Sequence, residues 1–207
     1  NNSITLSADD DIIFTDINFG TWEGDFIANA GLDATQTGDI SVNVVLTRAG
    51  GAGNITLNAS NGTSGIITIS NAIDTNGGIL ALNGQKITVG GDLTAASLIA
   101  SASGNAGSDI AFGAINVNAD SVNLTLSGGD TATISYDAGT SFNDESGTAN
   151  PTTFSVTTTN NAGSIDLDSF LAGSTNFFDG ADLTGTTVTF ENLGGADLVN
   201  NIGTLTN

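Results

Sequence analysis

Carboxylates are the side chains in this sequence that are best suited to acid–base or metal chemistry. The 207-residue chain has no His, no Cys and no Met, which removes Ser-His and Cys-His nucleophiles and His-zinc sites. Asp166 and Asp168 would point the same way along a strand, about 7 Å apart, which suits an inverting glycosidase pair. A lyase would need a basic residue, and the chain has only Arg48 and Lys86. We therefore expect no enzymatic activity, with carboxylate-based polysaccharide hydrolysis as the residual alternative.

Two acidic pairs are candidate ligands for calcium. Asp179 and Asp182 lie in "FDGADL", and Asp144 precedes Glu145 directly. A Ca²⁺ ion takes six to eight oxygen ligands, so either pair would need further oxygens from neighbouring loops. No EF-hand loop and no GGxGxD nonapeptide repeat occurs. We expect no resident cofactor, with structural Ca²⁺ at these pairs as the exception.

Aromatic residues mark a candidate ligand surface. Trp22, Tyr136 and Phe142 are large rings in stretches that break the pattern of the surrounding chain. Together with nearby acids they could bind surface glycans, so a carbohydrate-binding or carbohydrate-cleaving module is the alternative function.

The charge of the chain excludes two classes of partner. A formal net charge of −20 is incompatible with the cation-rich surface that nucleic acids need, and equally with anionic membranes. No apolar run approaches the ~20 residues of a membrane-spanning helix, so we expect no membrane insertion. An acidic, Lys-poor composition is also typical of secreted proteins.

Apolar residues recur every twelve residues, which indicates a repeat protein. One register is Ile55, Ile67 and Ile79; the second is Leu98, Ile110, Val122 and Ile134. Around each, as in "NITLNA" and "GIITIS", apolar and polar residues alternate. Period two predicts short strands with one buried face.

Short strands at this spacing fit two all-β architectures. One is a β-solenoid and the other an antiparallel β-sandwich. The corners resemble one another in length and in Asn and Gly content, which stacking of coils requires, so the sequence favours the solenoid. A coil would contain about 24 residues in two strands, or three shorter strands. Stacked Asn and Thr side chains would then form hydrogen-bonded ladders along the axis.

The pattern divides the chain into four parts. Residues 1–38 are rich in aromatics and are predicted to be an amino-terminal cap or assembly segment. Residues 39–134 form the regular repeats, 135–154 are predicted to be an inserted loop, and 155–207 form less regular β coils.

The segment "GNITLNASNGTSGIITISNAIDTNGGILALNGQKITVGGDLTA" resembles the repeats of filamentous-haemagglutinin-type adhesins and related bacterial β-strand-repeat exoproteins. In both, a Gly or Asn-Gly corner precedes I-T-L or I-x-V and then Asn. The resemblance covers about residues 38–135. It implies a right-handed parallel β-helix, secretion across a bacterial envelope to the cell surface, and a role as an adhesin or structural filament.

The ends of a solenoid present unpaired strand edges, which bond readily to another strand. We therefore expect a surface filament, matrix component or adhesin stalk whose partners are other copies of itself or neighbouring repeats of a longer chain. The segment from Asn2 to Ala8, with Ile4 and Leu6 on one face, is the predicted assembly strand.

Overall fold

The computed structural model is an all-β solenoid, with parallel strands stacked in about five turns. It describes residues 3–33, 37–48, 50–59, 65–103, 109–127, 133–137, 139–149, 151–159 and 187–192. Every strand pairing within these ranges is parallel, so the solenoid prediction is confirmed and the antiparallel sandwich is wrong.

The strands are short because a corner interrupts the chain after each buried stretch. Their bounds are β1 Ile4–Ser7, β2 Ile12–Phe14, β3 Phe26–Ala30, β4 Ile40–Val42, β5 Leu46–Thr47, β6 Ile55–Ala59, β7 Ile66–Ile69, β8 Ile73–Asp74, β9 Ile79–Gly84, β10 Lys86–Val89, β11 Leu93–Ser103, β12 Asp109–Phe112, β13 Asn116–Ser127, β14 Thr133–Tyr136, β15 Ser141–Asn143, β16 Thr153–Thr159 and β17 Thr187–Asn192.

Strands stack into three faces, so the three-strand form of the coil is the observed one. Face A runs β1-β3-β6-β9-β11-β13-β16-β17 and face B runs β2-β4-β7-β10-β12-β14. Face C consists of β5, β8, the first residues of β11 and β13, and β15. Strands β11 and β13 turn a corner without a break and therefore contribute to faces A and C.

The core consists of columns of apolar side chains, one residue from each coil. On face B, Ile12, Ile40, Ile67, Ile87, Ile110 and Ile134 follow one another in register, and the last five are fully buried. On face A, Phe26, Ile55, Leu80, Leu98, Val122 and Phe154 form the corresponding buried column. Ile, Leu and Val predominate in both columns, and Phe occupies the first and last positions of the face A column.

The twelve-residue register holds in the second half of the repeats and slips once in the first. Leu98, Ile110, Val122 and Ile134 are all buried. Ile79, by contrast, is 38% exposed, and its neighbour Leu80 pairs with Ile55 in the core. The prediction that Ile79 lies on the inward register is therefore wrong by one residue. The cause is the corner between β8 and β9, which is longer than the corresponding corners of β11 and β13, where the strand continues without a break. In this corner Asn76 and Gly77 both adopt positive φ.

Asp and Asn side chains join successive coils at the corners. The Oδ1 atom of each accepts a hydrogen bond from a backbone N–H of the following coil. The donor–acceptor pairs, each at 2.8 to 3.0 Å, are Asp39 N to Asp11, Asn54 N to Asp25, Ile66 N to Asp39, Ile79 N to Asn54, Asn116 N to Asp92 and Glu145 N to Asp120. These Asp carboxylates thus accept hydrogen bonds from backbone N–H groups that the strand ladders do not use.

The stretch 135–154 contributes to the coil, which corrects part of its prediction as an inserted loop. Within it, β15 pairs with the start of β13, and Phe142 stacks under Val117. Within the described residues of this stretch, an irregular turn follows Asn143. In the described parts of the chain there is no helix long and apolar enough to cross a membrane.

Candidate assembly site

Strand β1 forms the open edge of face A at the amino-terminal end. Among the described strands it pairs only with β3, which places Ile4 over Phe26 and Leu6 over Ala28. Ile4 N donates to Asp25 O at 2.8 Å, and Ala8 N donates to Asn29 O at 2.9 Å. Because parallel strands direct alternate residues to opposite neighbours, the N–H and C=O groups of Thr5 and Ser7 point away from β3. They are available to a further parallel strand.

The side chains at this end are apolar and exposed. Ile4 is 42% exposed and Leu6 is 40% exposed, although their register places them on the inward columns. They border a groove of about 200 Å³, which is lined by Ile4, Leu6, Ile17, Asn18, Phe19, Trp22 and Phe26. The groove lies at the amino-terminal end of the core, which no described coil covers.

Aromatic rings form the floor of the groove. Phe19 lies edge-on to Phe26 with ring centroids 5.0 Å apart, and it stacks on Trp22 at 5.8 Å with planes 27° apart. Phe14 packs edge-on against Phe26 from face B at 5.7 Å. Such pairs stabilise beyond their buried area, so the floor is a rigid platform.

A buried arginine supports this platform from within the core. Arg48 is 2% exposed, and its Cζ lies 5.0 Å from the centre of the Trp22 ring and 5.9 Å from that of Phe19. Its Nη2 donates to Trp22 O at 3.2 Å, whereas Nε and Nη1 are buried without an acceptor among the described residues. Burial lowers the pKa of Arg48 from its ordinary value, and the nearby Asp25 carboxylate partly offsets that effect.

Gly53 makes room for the guanidinium. A Cβ at this position would overlap the Arg48 guanidinium and the Gly24 carbonyl oxygen, so only glycine fits here. The sequence contains a signal for this arrangement. Leu46 is buried, and in a strand Arg48 shares its parity and points inward, although its charge argues against burial. Sequence reasoning missed it for that reason.

The three predicted ligand-surface aromatics do not form one surface. Trp22 is half-buried at the groove, whereas Phe142 is fully buried between Phe112 and Phe154, at centroid distances of 5.5 and 5.1 Å. The prediction that Phe142 lies on a ligand surface is therefore wrong, because the column under Val117 needs an apolar residue there. Tyr136 ends β14 on face B, far along the stack from Trp22.

The calcium candidates divide between described and undescribed residues. Asp179 and Asp182, like the pair Asp166 and Asp168, lie outside the described residues. Asp144 accepts hydrogen bonds from Thr148 N at 2.9 Å, Ala149 N at 3.0 Å and Ser146 Oγ at 2.8 Å. These bonds lower its pKa, that from Ala149 most. The carboxylate thus organises its own turn, and among the described residues no three acids converge as a metal site.

No family model, no curated protein and no solved structure matches this chain. The resemblance to filamentous-haemagglutinin-type exoproteins therefore stays a prediction from the repeat pattern.

Proposed function

We propose that this chain is a structural rod segment of a secreted bacterial surface protein, in a filament, matrix or adhesin stalk, and that it extends by end-to-end addition. The observation that supports this role is the uncovered amino-terminal end. Ile4 and Leu6 continue the buried columns of face A and yet are about two-fifths exposed.

The two ends of the described stack match in register. Through successive pairings the backbone of Ile4 lies in register with Phe154 and Val188, and that of Leu6 lies in register with Val156 and Phe190. A β1 strand placed parallel beyond β17 would continue both columns without a change of register. Such a contact is heterologous and does not close on itself, so it produces a linear array. The same geometry would join this segment to neighbouring repeats of a longer chain.

Electrostatic repulsion opposes addition of copies. Each copy carries a formal charge of −20, and exposed charges interact over about 10 Å at 0.1 M salt. Backbone pairing and apolar burial at the end must exceed that repulsion, so assembly is expected to increase with added salt.

The test is sedimentation velocity with negative-stain imaging across a salt series. We expect rods that lengthen with salt for the natural sequence and shorter rods for Ile4→Lys, which places a charge in the apolar contact. Ile13→Lys is the matched control, because Ile13 is 60% exposed on the outward side of β2 in the same coil. If the natural sequence stays monomeric at every salt concentration, self-assembly is wrong and the segment is one link of a continuous covalent stalk.

The carbohydrate module remains a second hypothesis with less support. Trp22 lies at the groove, but Phe142 is buried and no longer counts among its carriers. Glycan-array binding by monodisperse monomers that is abolished by Trp22→Ala would favour it over the structural role.

A further inference from the structure

The outer surface of face A contains no charged residue over seven consecutive strands. Strands β1, β3, β6, β9 and β16, and the segments Ser97–Ser103 and Ser121–Ser127, carry only Ser, Thr, Asn, Gly and apolar residues. The chain has 22 acidic residues, and those in the described ranges lie at the corners, on faces B and C and at the ends. The next strand, β17, includes Glu191 in register with Thr157, so the run of strands without a charged residue ends there.

Several of the polar outward side chains on this surface bond to one another along the axis. Asn58 Nδ2 donates to Asn29 Oδ1 at 2.7 Å, and Asn83 Nδ2 donates to Asn58 Oδ1 at 2.8 Å. Farther along, Thr153 Oγ1 donates to Ser121 Oγ at 2.8 Å. Amides that already bond along the axis lose less on leaving water than free amides would, so covering this surface has a reduced desolvation cost.

We infer that the uncharged surface of face A is a lateral docking face for a second copy of this chain. The charge distribution identifies the partner. Two copies that each carry −20 repel through every surface rich in carboxylates, and face A is the broad side on which two copies can meet without opposing acids. The contact is isologous, sheet against sheet about 10 Å apart, with Ile27, Ala81 and Ile99 supplying the apolar part.

The dimensions set the strength of the pairing. Seven strands about 4.8 Å apart and five residues of about 3.3 Å each give roughly 30 by 16 Å, or about 500 Å² per copy. The total of about 1,000 Å² lies at the lower bound of specific interfaces. The pairing is therefore weak, reversible and dependent on salt. Lateral pairing widens an assembly, whereas contacts at β1 lengthen the assembly. The lateral docking face therefore does not depend on the proposed end-to-end addition.

The test compares Thr56→Glu with Thr68→Glu by sedimentation equilibrium at low and high salt, up to about 1 mM protein. Both residues are half-buried, outward-facing threonines of the same coil, Thr56 on face A and Thr68 on face B, so the variants have identical charge. We expect self-association of the natural chain that increases with salt, at least tenfold weaker for Thr56→Glu and nearly unchanged for Thr68→Glu. All three chains carry Ile4→Lys, so that end contacts are weakened equally in each.

If self-association is too weak to measure by sedimentation, a second pair of variants still tests the lateral docking face. The chain has no cysteine, so Ala81→Cys and Thr88→Cys each introduce a single thiol, on face A and face B respectively. Mild oxidation is expected to yield disulfide-linked dimers of Ala81→Cys and to leave Thr88→Cys largely monomeric. Equal dimer yields, equal loss of association in both glutamate variants, or a chain that is monomeric under all conditions would each overturn the lateral face.

Discussion

The first coil and the middle coils share one strand pattern but differ in what covers it. Ile4 and Leu6 of β1 occupy the same inward columns as Ile55 and Leu57 of β6, which are fully buried. The difference is not in residue type, because each pair is one Ile and one Leu. It is in position along the stack: each middle coil has a coil on both sides, whereas in the part of the chain that the structure describes β1 has a neighbour on a single side.

This contrast separates two properties that a repeat sequence combines. Inward parity is a local property and can be read from alternation alone. Burial is a property of the stack, because each coil contacts only its neighbours. An inward apolar residue at the end of the stack is therefore an exposed apolar residue, which gives the end its capacity to bind.

Replacement of Ile by Asp in a middle coil and in the first coil gives the largest expected difference in the free energy of unfolding. Ile67→Asp places an unpaired carboxylate in the dry face B column and is expected to destabilise by several kcal/mol, about 3 to 5. Ile4→Asp puts the same group where water reaches it and is expected to cost less than about 1 kcal/mol. Urea unfolding of dilute protein measures both. Similar losses at the two sites would mean that the end is covered or that the column is not dry.

Much of the core is predictable from residue types, although the exposure of the end is not. Period two correctly places Ile67, Ile110 and Ile134 in the core, and repetition of Asn anticipates the ladder through Asn58. The slip at Ile79 is not predictable, because Ile79 and Leu80 are adjacent and equally apolar, and only the corner geometry selects between them. Phe142 was misplaced because β15 is three residues long, too short to show alternation.

Substitutions of Arg48 test what stabilises the aromatic platform of Phe19 and Trp22 at the open end. Arg48→Ala leaves a cavity under Trp22 and is expected to destabilise by about 2 to 3 kcal/mol. Arg48→Met fills the space without a buried charge, and because two of the nitrogens have no described acceptor, it is expected to be neutral or to stabilise by about 1 kcal/mol. Thermal unfolding and Trp22 fluorescence report on the fold and the platform. A loss with Met as large as with Ala would show that the Asp25 carboxylate and the rings more than offset the cost of burying the charge.

The smallest expected effect concerns Asp144, which differs from the corner acids of the middle coils. Asp25, Asp92 and Asp120 bond to the next coil, whereas Asp144 bonds within its own turn to Thr148 N and Ala149 N. Its lowered pKa means that the ordered turn favours the carboxylate form. That contribution is fully present above the ordinary value of 3.8 and is lost as the pH falls below it towards the lowered folded value.

The loss should be local, since the carboxylate is near the surface and joins no two coils. Amide exchange measured by NMR should show Thr148 and Ala149 losing protection as the pH falls below 3.8, while Phe26, whose N–H donates to the Asn54 carbonyl oxygen, stays protected. Asp144→Asn should weaken protection of the turn at neutral pH and remove its change with acid, and Asp9→Asn is the control with the same charge change. If acid exposes Thr148 and Phe26 together, the turn belongs to the cooperative stack, and the distinction between acids that join coils and acids that order one turn would have to be abandoned.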